Sequence, residues 1–259
     1  MHWRPTILGV FIAASLCAWS QPPATPPPPL RAAVPLLCTE NNYALRTYIR
    51  GSGLIADSGG TLLTAAHVIL QARSNCTLSV MIPDEEWIRL GHLRRFLLAH
   101  CHVNEMLDIA VCRALPADNP RDLAYIRAAP LRLRAVTPGE PVWITGFTGW
   151  APVPLTRAGR ITGQEDYRRQ DGCRCDFATS IVAVEGMSGS PVISAGGEVL
   201  GIITQAGSGK FRGTSFGITF EEAKGFLLSE GVPVSQLEGR SPPAAAVDHG
   251  RLTPANHER

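Results

Sequence analysis

Short strand-like runs separated by turn residues occupy most of this chain from Tyr43 onward. The runs are rich in apolar or β-branched residues and the series is punctuated by glycine, proline and aspartate, a pattern typical of short β-strands. The runs form two series on either side of the proline-containing segment 129–139, and helical patterns occur at 65–72 and 221–231. The sequence therefore predicts an all-β protein with two strand-rich halves built as barrels or sandwiches. The predicted strands are 44–49, 53–56, 61–64, 78–82, 95–100 and 109–112, then 141–145, 159–164, 180–184, 191–194, 199–205 and 215–219.

The two ends of the chain have a different composition. Residues 1–20 combine a basic start, an apolar run over 7–19 and a small-x-small pattern at 18–20, which predicts a signal peptide. The apolar run is too short for a spanning helix, which needs roughly 20 residues. Cys17 leaves a lipoprotein anchor as an alternative, although Leu16 stands where such signals need a small residue. Residues 21–35 form a proline-rich linker, and residues 235–259 have the composition of a disordered tail.

The overall composition limits the partners of the folded part. Of the 259 residues, 45% are hydrophobic, which suffices for a sizeable core. A formal net charge of +2 is too small and too dispersed to indicate nucleic acid or an anionic membrane surface. We expect an exported protein, periplasmic or extracellular, that is monomeric and has no membrane association after signal cleavage.

The cysteines support export. The chain has seven, and removal of the signal peptide takes Cys17 and leaves six, an even number that favours disulfides in an oxidising compartment. Cys101 and Cys112 lie on two apolar segments that flank a turn, so we predict a bond between them across a hairpin. Buried free thiols are the alternative.

Two other groups of residues could in principle bind a metal ion. Cys173 and Cys175 stand two positions apart, as do His100 and His102 on a predicted strand. Neither pair has further ligands at a suitable spacing. We therefore expect no metal and no cofactor.

Three short segments, in a fixed order, contain the residue types of a nucleophilic site. His67 follows a predicted strand and two alanines, Asp108 opens another strand, and Ser188 lies in the small-residue turn 186–191. A serine hydroxyl becomes a good nucleophile when an imidazole takes its proton, and a carboxylate fixes the tautomer of that imidazole. Each residue alone also has a structural explanation: a core histidine, an exposed turn aspartate or a turn without chemistry. The order His, Asp, Ser differs from that of subtilisin-like enzymes and α/β-hydrolases.

The turn 186–191 contains two candidate nucleophiles, Ser188 and Ser190. Its small residues allow a tight backbone turn in which amide hydrogens point inward. We predict that the backbone N–H groups of Gly186 and Ser188 bind the oxyanion that forms when an acyl carbonyl is attacked.

These segments resemble the motifs of chymotrypsin-fold (trypsin-like) serine peptidases. Residues 186–191 match the pattern Gly-x-Ser-Gly-Gly/Ser-Pro, residues 64–67 match Thr-Ala-Ala-His, and residues 108–110 match Asp-Ile/Leu-Ala. The resemblance covers about 36–234 and implies two antiparallel six-stranded β-barrels, at 36–135 and 136–234, with a closing C-terminal helix. It further implies a serine endopeptidase that cleaves a protein or peptide substrate through an acyl-enzyme, with His67, Asp108 and Ser188 as the catalytic residues.

The chain departs from the animal enzymes of that family at two positions. Met187 replaces the acid that grips a new N-terminus after zymogen cleavage, and Val68 replaces a cysteine that forms their histidine-loop disulfide. Residues 197–202 and 215–218 are more similar to the bacterial exported HtrA-like and glutamyl-endopeptidase-like branches. No region the size of a PDZ domain follows Gly231, so we expect none here.

The resemblance also indicates which residues line the pocket for the substrate residue before the scissile bond. At the position of Val182, trypsin-like members carry an acid, and at that of Ile203, glutamyl-specific members carry a histidine. Because both positions are apolar here, we expect a preference for small or medium apolar residues. Thr204 is also expected to donate a hydrogen bond to Asp108. The expected pocket residues are Val182, Ala183, Ile203, Thr204 and Ala206.

Two other functions remain open at this point. One is a secreted binding module that keeps the trypsin-like fold without turnover, although such proteins usually lack at least one residue of the triad. The other is an esterase or transferase with the same acyl-serine chemistry.

Overall fold

The structure is a computed structural model. It describes residues 31–40, 46–72, 76–83, 93–149, 151–164, 167–168 and 174–234. The expected signal peptide, the expected C-terminal tail and Cys173 lie outside the described residues. The protein has fourteen described strands, most of which belong to two closed antiparallel barrels.

The first barrel contains six strands and one short helix. Its strands follow the closed order β1-β2-β3-β6-β5-β4. The helix α1, Ala66–Ala72, confirms the helical pattern at 65–72 and connects β3 to β4. The strands are β1 (Ala33–Glu40), β2 (Arg46–Ile55), β3 (Thr61–Thr64), β4 (Cys76–Pro83), β5 (Leu93–Asn104) and β6 (Ile109–Pro116).

The first strand begins earlier than the sequence suggests. Ala33 and Val34 lie in the segment assigned to the proline-rich linker, yet they are buried and pair with β2. Pro35 is compatible with the strand, although a proline cannot donate to a neighbour. Burial of two apolar side chains therefore extends the barrel into the end of that segment.

The second barrel also contains six strands, in the closed order β11-β14-β13-β12-β7-β8. A separate two-stranded ribbon of β9 and β10 precedes β11. The two barrels confirm the predicted all-β, chymotrypsin-like fold. The strands are β7 (Pro141–Thr148), β8 (Ala151–Gly163), β9 (Tyr167–Arg168), β10 (Arg174–Cys175), β11 (Phe177–Thr179), β12 (Pro191–Ser194), β13 (Val199–Ala206) and β14 (Ser215–Thr219).

The strand predicted at 180–184 is wrong. Residues 180–184 form an irregular segment after β11. Ser180 still donates its N–H to the carbonyl of Arg160 on β8, but side chains bond the backbone of the three residues that follow. The Ser215 hydroxyl donates to the carbonyl of Ile181 at 2.5 Å and accepts from the N–H of Ala183 at 2.7 Å. The Arg157 guanidinium donates to the carbonyl of Val182 at 2.7 Å. The β-branched residues of this segment are therefore held by local side-chain bonds, which a strand pattern does not reveal.

One hydrophobic cluster joins the two barrels. Leu63 and Ile109 of the first barrel pack in the same buried cluster as Ile202 and Phe220 of the second. The C-terminal helix α2, Lys224–Ser229, adds the fully buried Leu227 to this cluster. The predicted closing helix is thus present, but it is shorter than the 221–231 pattern.

Two disulfides bond cysteines of the first barrel. Cys101 and Cys112 are bonded across β5 and β6, which confirms the predicted hairpin pair. Cys38 and Cys76 are bonded between the paired strands β1 and β4. In the part of the chain that the structure describes, no helix is long and apolar enough to cross a bilayer.

Candidate active site

His67 is the second residue of α1 and lies three residues after the end of β3. Its side chain is about a quarter exposed, at 26%. Ala65 and Ala66 before it are buried, and so are Val68 and Ile69 after it. The buried apolar neighbours hold the start of α1 in the barrel core, which fixes the backbone position of His67. Part of its imidazole remains exposed to solvent.

Asp108 binds His67 at two points. Its carboxylate accepts the backbone N–H of His67 at 2.9 Å, and it lies 2.8 and 3.0 Å from Nδ1 of the same residue. Asp108 is almost fully buried, at 2% exposure. A carboxylate beside Nδ1 favours the tautomer that is protonated there, which leaves the lone pair on Nε2. The lone pair of the imidazole is therefore on the ring nitrogen that does not contact Asp108.

The backbone of Asp108 adopts an uncommon conformation. Its φ is +49°, in the left-handed region that aspartate and asparagine enter more readily than most residues. The side chain of Asn104 accepts the N–H of Leu107 at 3.1 Å, and the carbonyl of Asp108 accepts the N–H of Ala66 at 3.1 Å. These bonds tie the turn before β6 to the start of α1 and offset the cost of the strained backbone.

Ser188 lies in a turn whose shape requires two glycines. Gly186 has φ +91° and Gly189 has φ +85°, values that L side chains rarely adopt. A Cβ on Gly189 would lie 2.1 Å from the carbonyl oxygen of Ser52 and 2.4 Å from the Thr64 hydroxyl. The glycine therefore allows the serine turn of the second barrel to approach the end of β3, which leads to His67.

A backbone hydrogen bond fixes this approach. The N–H of Ser52 on β2 donates to the carbonyl of Ser188 at 2.8 Å. In the described ranges, the hydroxyl of Ser188 makes no hydrogen bond with another side chain, and Ser188 is neither fully buried nor fully exposed. Catalytic hydrogen bonds are often long without substrate and tighten in the complex, so this geometry is compatible with a serine and histidine pair.

Two backbone N–H groups of the turn are available to a ligand. The N–H of Met187 donates to Val184, that of Gly189 to Ile203, and that of Ser190 to Met187. By contrast, neither Gly186 nor Ser188 donates its N–H to a protein acceptor within the described part of the chain. The predicted oxyanion donors are thus the two amides in this turn that the fold leaves without an acceptor.

The second serine of the turn points into the protein. Ser190 is fully buried, and its hydroxyl has no hydrogen-bond partner among the described residues. A Cβ on Gly146 of β7 would lie 2.0 Å from that hydroxyl oxygen. Because it is enclosed against β7, the Ser190 hydroxyl is a poor candidate for attack on an external carbonyl.

The expected pocket residues lie in two environments. Val182 is 45% exposed and Ala206 is also exposed, so both face solvent in the free protein. The other three, Ala183, Ile203 and Thr204, are buried. None of the five side chains carries a charge.

The hydroxyl of Thr204 lies beside a sulfur atom. Its oxygen is 3.3 Å from the Sγ of Cys175, and both residues are buried. The expected hydrogen bond from Thr204 to Asp108 stays a prediction. Across the described residues, no group of three or more potential ligands is placed to hold a metal ion.

Met187 is a core residue. Its side chain is fully buried and packs with Val136, Val142 and Ile144 in the second barrel. The side chain beside the serine is therefore held by apolar packing. In that environment, an acidic side chain would need a charged partner.

The fold and the contact between the two barrels define the structural class of this protein. Two closed six-stranded antiparallel barrels place an Asp-paired histidine of one barrel beside a glycine-bounded serine turn of the other. This is the chymotrypsin fold. Residues 51–202 match the family model described as "Trypsin-like peptidase domain", so this chain belongs to the trypsin-like peptidase family.

Solved structures share the fold at low sequence identity. The crystal structure of Deg5 has a TM-score of 0.58 and 16% identity, over 78% of this chain and 90% of that one. The protease domain of MamO from Magnetospirillum magneticum has a TM-score of 0.57 and 19% identity, over 77% and 95%. The active form of the Rv3671c protease from M. tuberculosis has a TM-score of 0.58 and 18% identity, over 78% and 82%. A comparison with curated proteins returns no significant match.

Sequence reasoning missed two serines that organise the site. Ser52 binds the turn of Ser188, and Ser215 holds the backbone on both sides of Val182. Each is fully buried and distant in sequence from the segment it holds. The only sequence signal for Ser52 is its position between two glycines, Gly51 and Gly53.

Proposed function

We propose that this protein is an exported serine endopeptidase that hydrolyses peptide bonds through an acyl-enzyme. The observation that carries the proposal is the pairing of His67 with the buried carboxylate of Asp108. This pairing leaves the lone pair on Nε2, where the imidazole can act as a base. The approach of the Ser188 turn to the end of β3 supports Ser188 as the group that this base activates.

The reaction proceeds in two halves. His67 takes the proton of Ser188 as its oxygen attacks the scissile carbonyl, and the N–H groups of Gly186 and Ser188 stabilise the resulting oxyanion. The imidazolium then donates its proton to the leaving amine, and an acyl-serine remains. Water, deprotonated by the same imidazole, attacks the ester. The imidazolium then returns that proton to the serine oxygen, which releases the acid and the free serine. Asp108 orients the imidazole and stabilises the imidazolium electrostatically.

The proposed compartment follows from the disulfides. The Cys38–Cys76 and Cys101–Cys112 bonds would be kept reduced in most bacterial or eukaryotic cytosols. An exported protein retains them. Their presence in the barrel that carries His67 and Asp108 supports a site that works in an oxidising compartment.

The proposed specificity is for small or medium apolar residues before the scissile bond. Val182 and Ala206 present apolar surface, and the buried Ile203 offers no charge for an acidic or basic side chain. An apolar pocket discriminates weakly between similar side chains, by about 1–3 kcal/mol per methylene, so we expect a broad preference.

A peptide-library digest tests activity and specificity together. Mass spectrometry of the products should find new termini after apolar residues with wild type and none with Ser188→Ala. Cleavage after Arg, Lys or Glu would contradict the proposed specificity. A folded wild-type protein that cleaves nothing would contradict the proposed function and favour a binding module.

A further inference from the structure

Ser52 lies where the first barrel contacts the Ser188 turn of the second barrel. It is fully buried on β2, and its backbone binds both sides of the site. Its N–H donates to the carbonyl of Ser188 at 2.8 Å, and its carbonyl accepts the hydroxyl of Thr64 at 2.7 Å. Thr64 ends β3, three residues before His67. One residue therefore connects the backbone of the proposed nucleophile to the strand that leads to the base.

The side chain of Ser52 makes two more hydrogen bonds, both to the second barrel. Its hydroxyl accepts the N–H of Phe147 at 2.9 Å and donates to the carbonyl of Gly186 at 2.8 Å. A hydroxyl has a single proton, and the N–H of Phe147 occupies an acceptor site on the oxygen. The proton is therefore directed at Gly186.

This hydroxyl bond restrains the peptide that joins Gly186 to Met187. The carbonyl end is held by Ser52, and the N–H end donates to Val184 at 3.0 Å. With that peptide plane fixed, the direction of the Gly186 N–H depends on the ψ and φ angles of Gly186. A glycine has little intrinsic preference at these two torsions, so its orientation must come from its surroundings.

We propose that Ser52 is a positioning residue for the oxyanion hole. By holding the Gly186 carbonyl, its hydroxyl keeps the Gly186 N–H aimed at the place where the tetrahedral oxygen forms. This inference rests on the proposed function. It assigns the hydroxyl a role in transition-state stabilisation, whereas the backbone bonds of Ser52 maintain the contact between the barrels.

A purely structural hydroxyl and a positioning hydroxyl differ in their kinetic effect. Loss of oxyanion stabilisation lowers kcat and leaves KM nearly unchanged, because the ground-state carbonyl uses the hole much less than the tetrahedral intermediate does. A peptide boronate with an apolar terminal residue forms a tetrahedral adduct with the serine, so its affinity should fall with kcat. A structural defect would instead lower the active fraction, with no change in the affinity of the remaining folded protein.

The test compares Ser52→Ala with Ser79→Ala. Ser79 is a matched control, since it is also buried in the first barrel and its hydroxyl has no partner among the described residues. Each protein is titrated for active sites with a fluorophosphonate, and kcat, KM and boronate affinity are measured well below the midpoint of its thermal unfolding. Ser52→Ala should lose about 10- to 100-fold in kcat and in boronate affinity, part of the loss expected on removing an oxyanion donor, with KM within about twofold. Ser79→Ala should match wild type.

The outcomes separate this inference from the proposed function. If wild type reacts at Ser188 and Ser52→Ala equals Ser79→Ala in kcat and boronate affinity, the role of Ser52 is wrong and the peptidase stands. If folded wild type neither reacts nor cleaves, the proposed function itself fails. Should Ser52→Ala not fold, Ser52→Cys keeps a weaker donor of similar size. The same kcat-specific loss, smaller in size, must then appear, and an unchanged kcat would overturn the inference.

Discussion

His67 and Asp108 are joined by two hydrogen bonds of different kinds, one from the backbone N–H of His67 at 2.9 Å and one from its Nδ1 at 2.8 Å. The backbone bond holds the carboxylate whatever the state of the imidazole. The Nδ1 bond then sets the tautomer. The orientation of the carboxylate and the direction of the base are therefore determined by separate contacts to the same residue.

The Nδ1 bond predicts the effect of replacing Asp108 by asparagine. The amide oxygen of Asp108→Asn can still accept the backbone N–H of His67, but its NH2 group would face Nδ1 and favour the wrong tautomer. We expect kcat to fall by about 10³- to 10⁴-fold with a folded protein, as in other triads. Steady-state kinetics on a peptide substrate measures this. The exposed Asp118→Asn is the control, and equal activity of the two variants would contradict the assignment of Asp108.

Because the backbone of Gly189 lies so close to Ser52, a single methyl group added at Gly189 should lower the free energy of unfolding strongly. Gly189→Ala meets the Ser52 carbonyl at 2.1 Å and also strains a φ of +85°. We expect a loss of about 2–6 kcal/mol in the free energy of unfolding, from strain and overpacking together. Gly197 has a similar φ of +79° but nothing within 4 Å of a Cβ. Gly197→Ala should therefore lose only about 1–2 kcal/mol in urea unfolding, and equal losses would show that the barrel contact is unimportant.

Because Met187 is buried among apolar side chains, its replacement by leucine should destabilise the protein much less than its replacement by aspartate. Met187→Leu preserves apolar volume and should cost less than about 1.5 kcal/mol of unfolding free energy. Met187→Asp places a carboxylate among the apolar side chains of the second-barrel core, and should cost about 3 kcal/mol or more. Circular dichroism during urea unfolding measures both. A stable Met187→Asp protein would mean that this turn can bind a charged partner.

Asp176 predicts a pH dependence of stability in the second barrel. Burial raises the pKa of this carboxyl, although the N–H and hydroxyl of Thr219 donate to it, and the nearby Glu222 raises it further. The folded protein thus holds the proton more tightly than the unfolded chain. Stability from this group is complete below the ordinary aspartate range, near about pH 4, and is lost as the pH rises to the raised pKa.

The variant Asp176→Asn cannot ionise at this position, so it does not lose this contribution to stability as the pH rises. Its stability relative to wild type should increase as the pH rises from about 3 to 7, measured by urea unfolding at each pH. Asp118→Asn, in an exposed loop, should show no such trend. A relative stability of Asp176→Asn that falls with pH would contradict the sign of the shift.

Much of the fold could be predicted from local sequence patterns, because these features depend on residues that are close together in the chain. The strand runs, the helix at Ala66–Ala72 and the Cys101–Cys112 hairpin bond each depend on residues close in sequence. The Cys38–Cys76 bond spans 38 positions and depends on how β1 and β4 pair. Such long-range pairing is a property of the closed barrel, so the spacing of the cysteines does not reveal it.

In the candidate site too, the local motifs could be predicted from the sequence, whereas the long-range contacts could not. His67, Asp108 and Ser188 stand in recognisable segments, and the structure brings the first two into contact. The role of Ser52 depends on a contact between residues 134 positions apart. The apolar side chains of residues 181–184 favour a strand, but the hydroxyl of Ser215 bonds the backbone of Ile181 and Ala183 in place of a paired strand.

Covalent labelling tests the proposed mechanism most directly. Wild type, Ser188→Ala and Ser190→Ala are treated with a fluorophosphonate, and the modified residue is located by peptide mapping with mass spectrometry. One adduct on Ser188 is expected in wild type and in folded Ser190→Ala, and none in Ser188→Ala. Labelling that survives Ser188→Ala but vanishes in Ser190→Ala, or a folded wild-type protein that takes up no label, would contradict the assignment of Ser188 as an activated nucleophile.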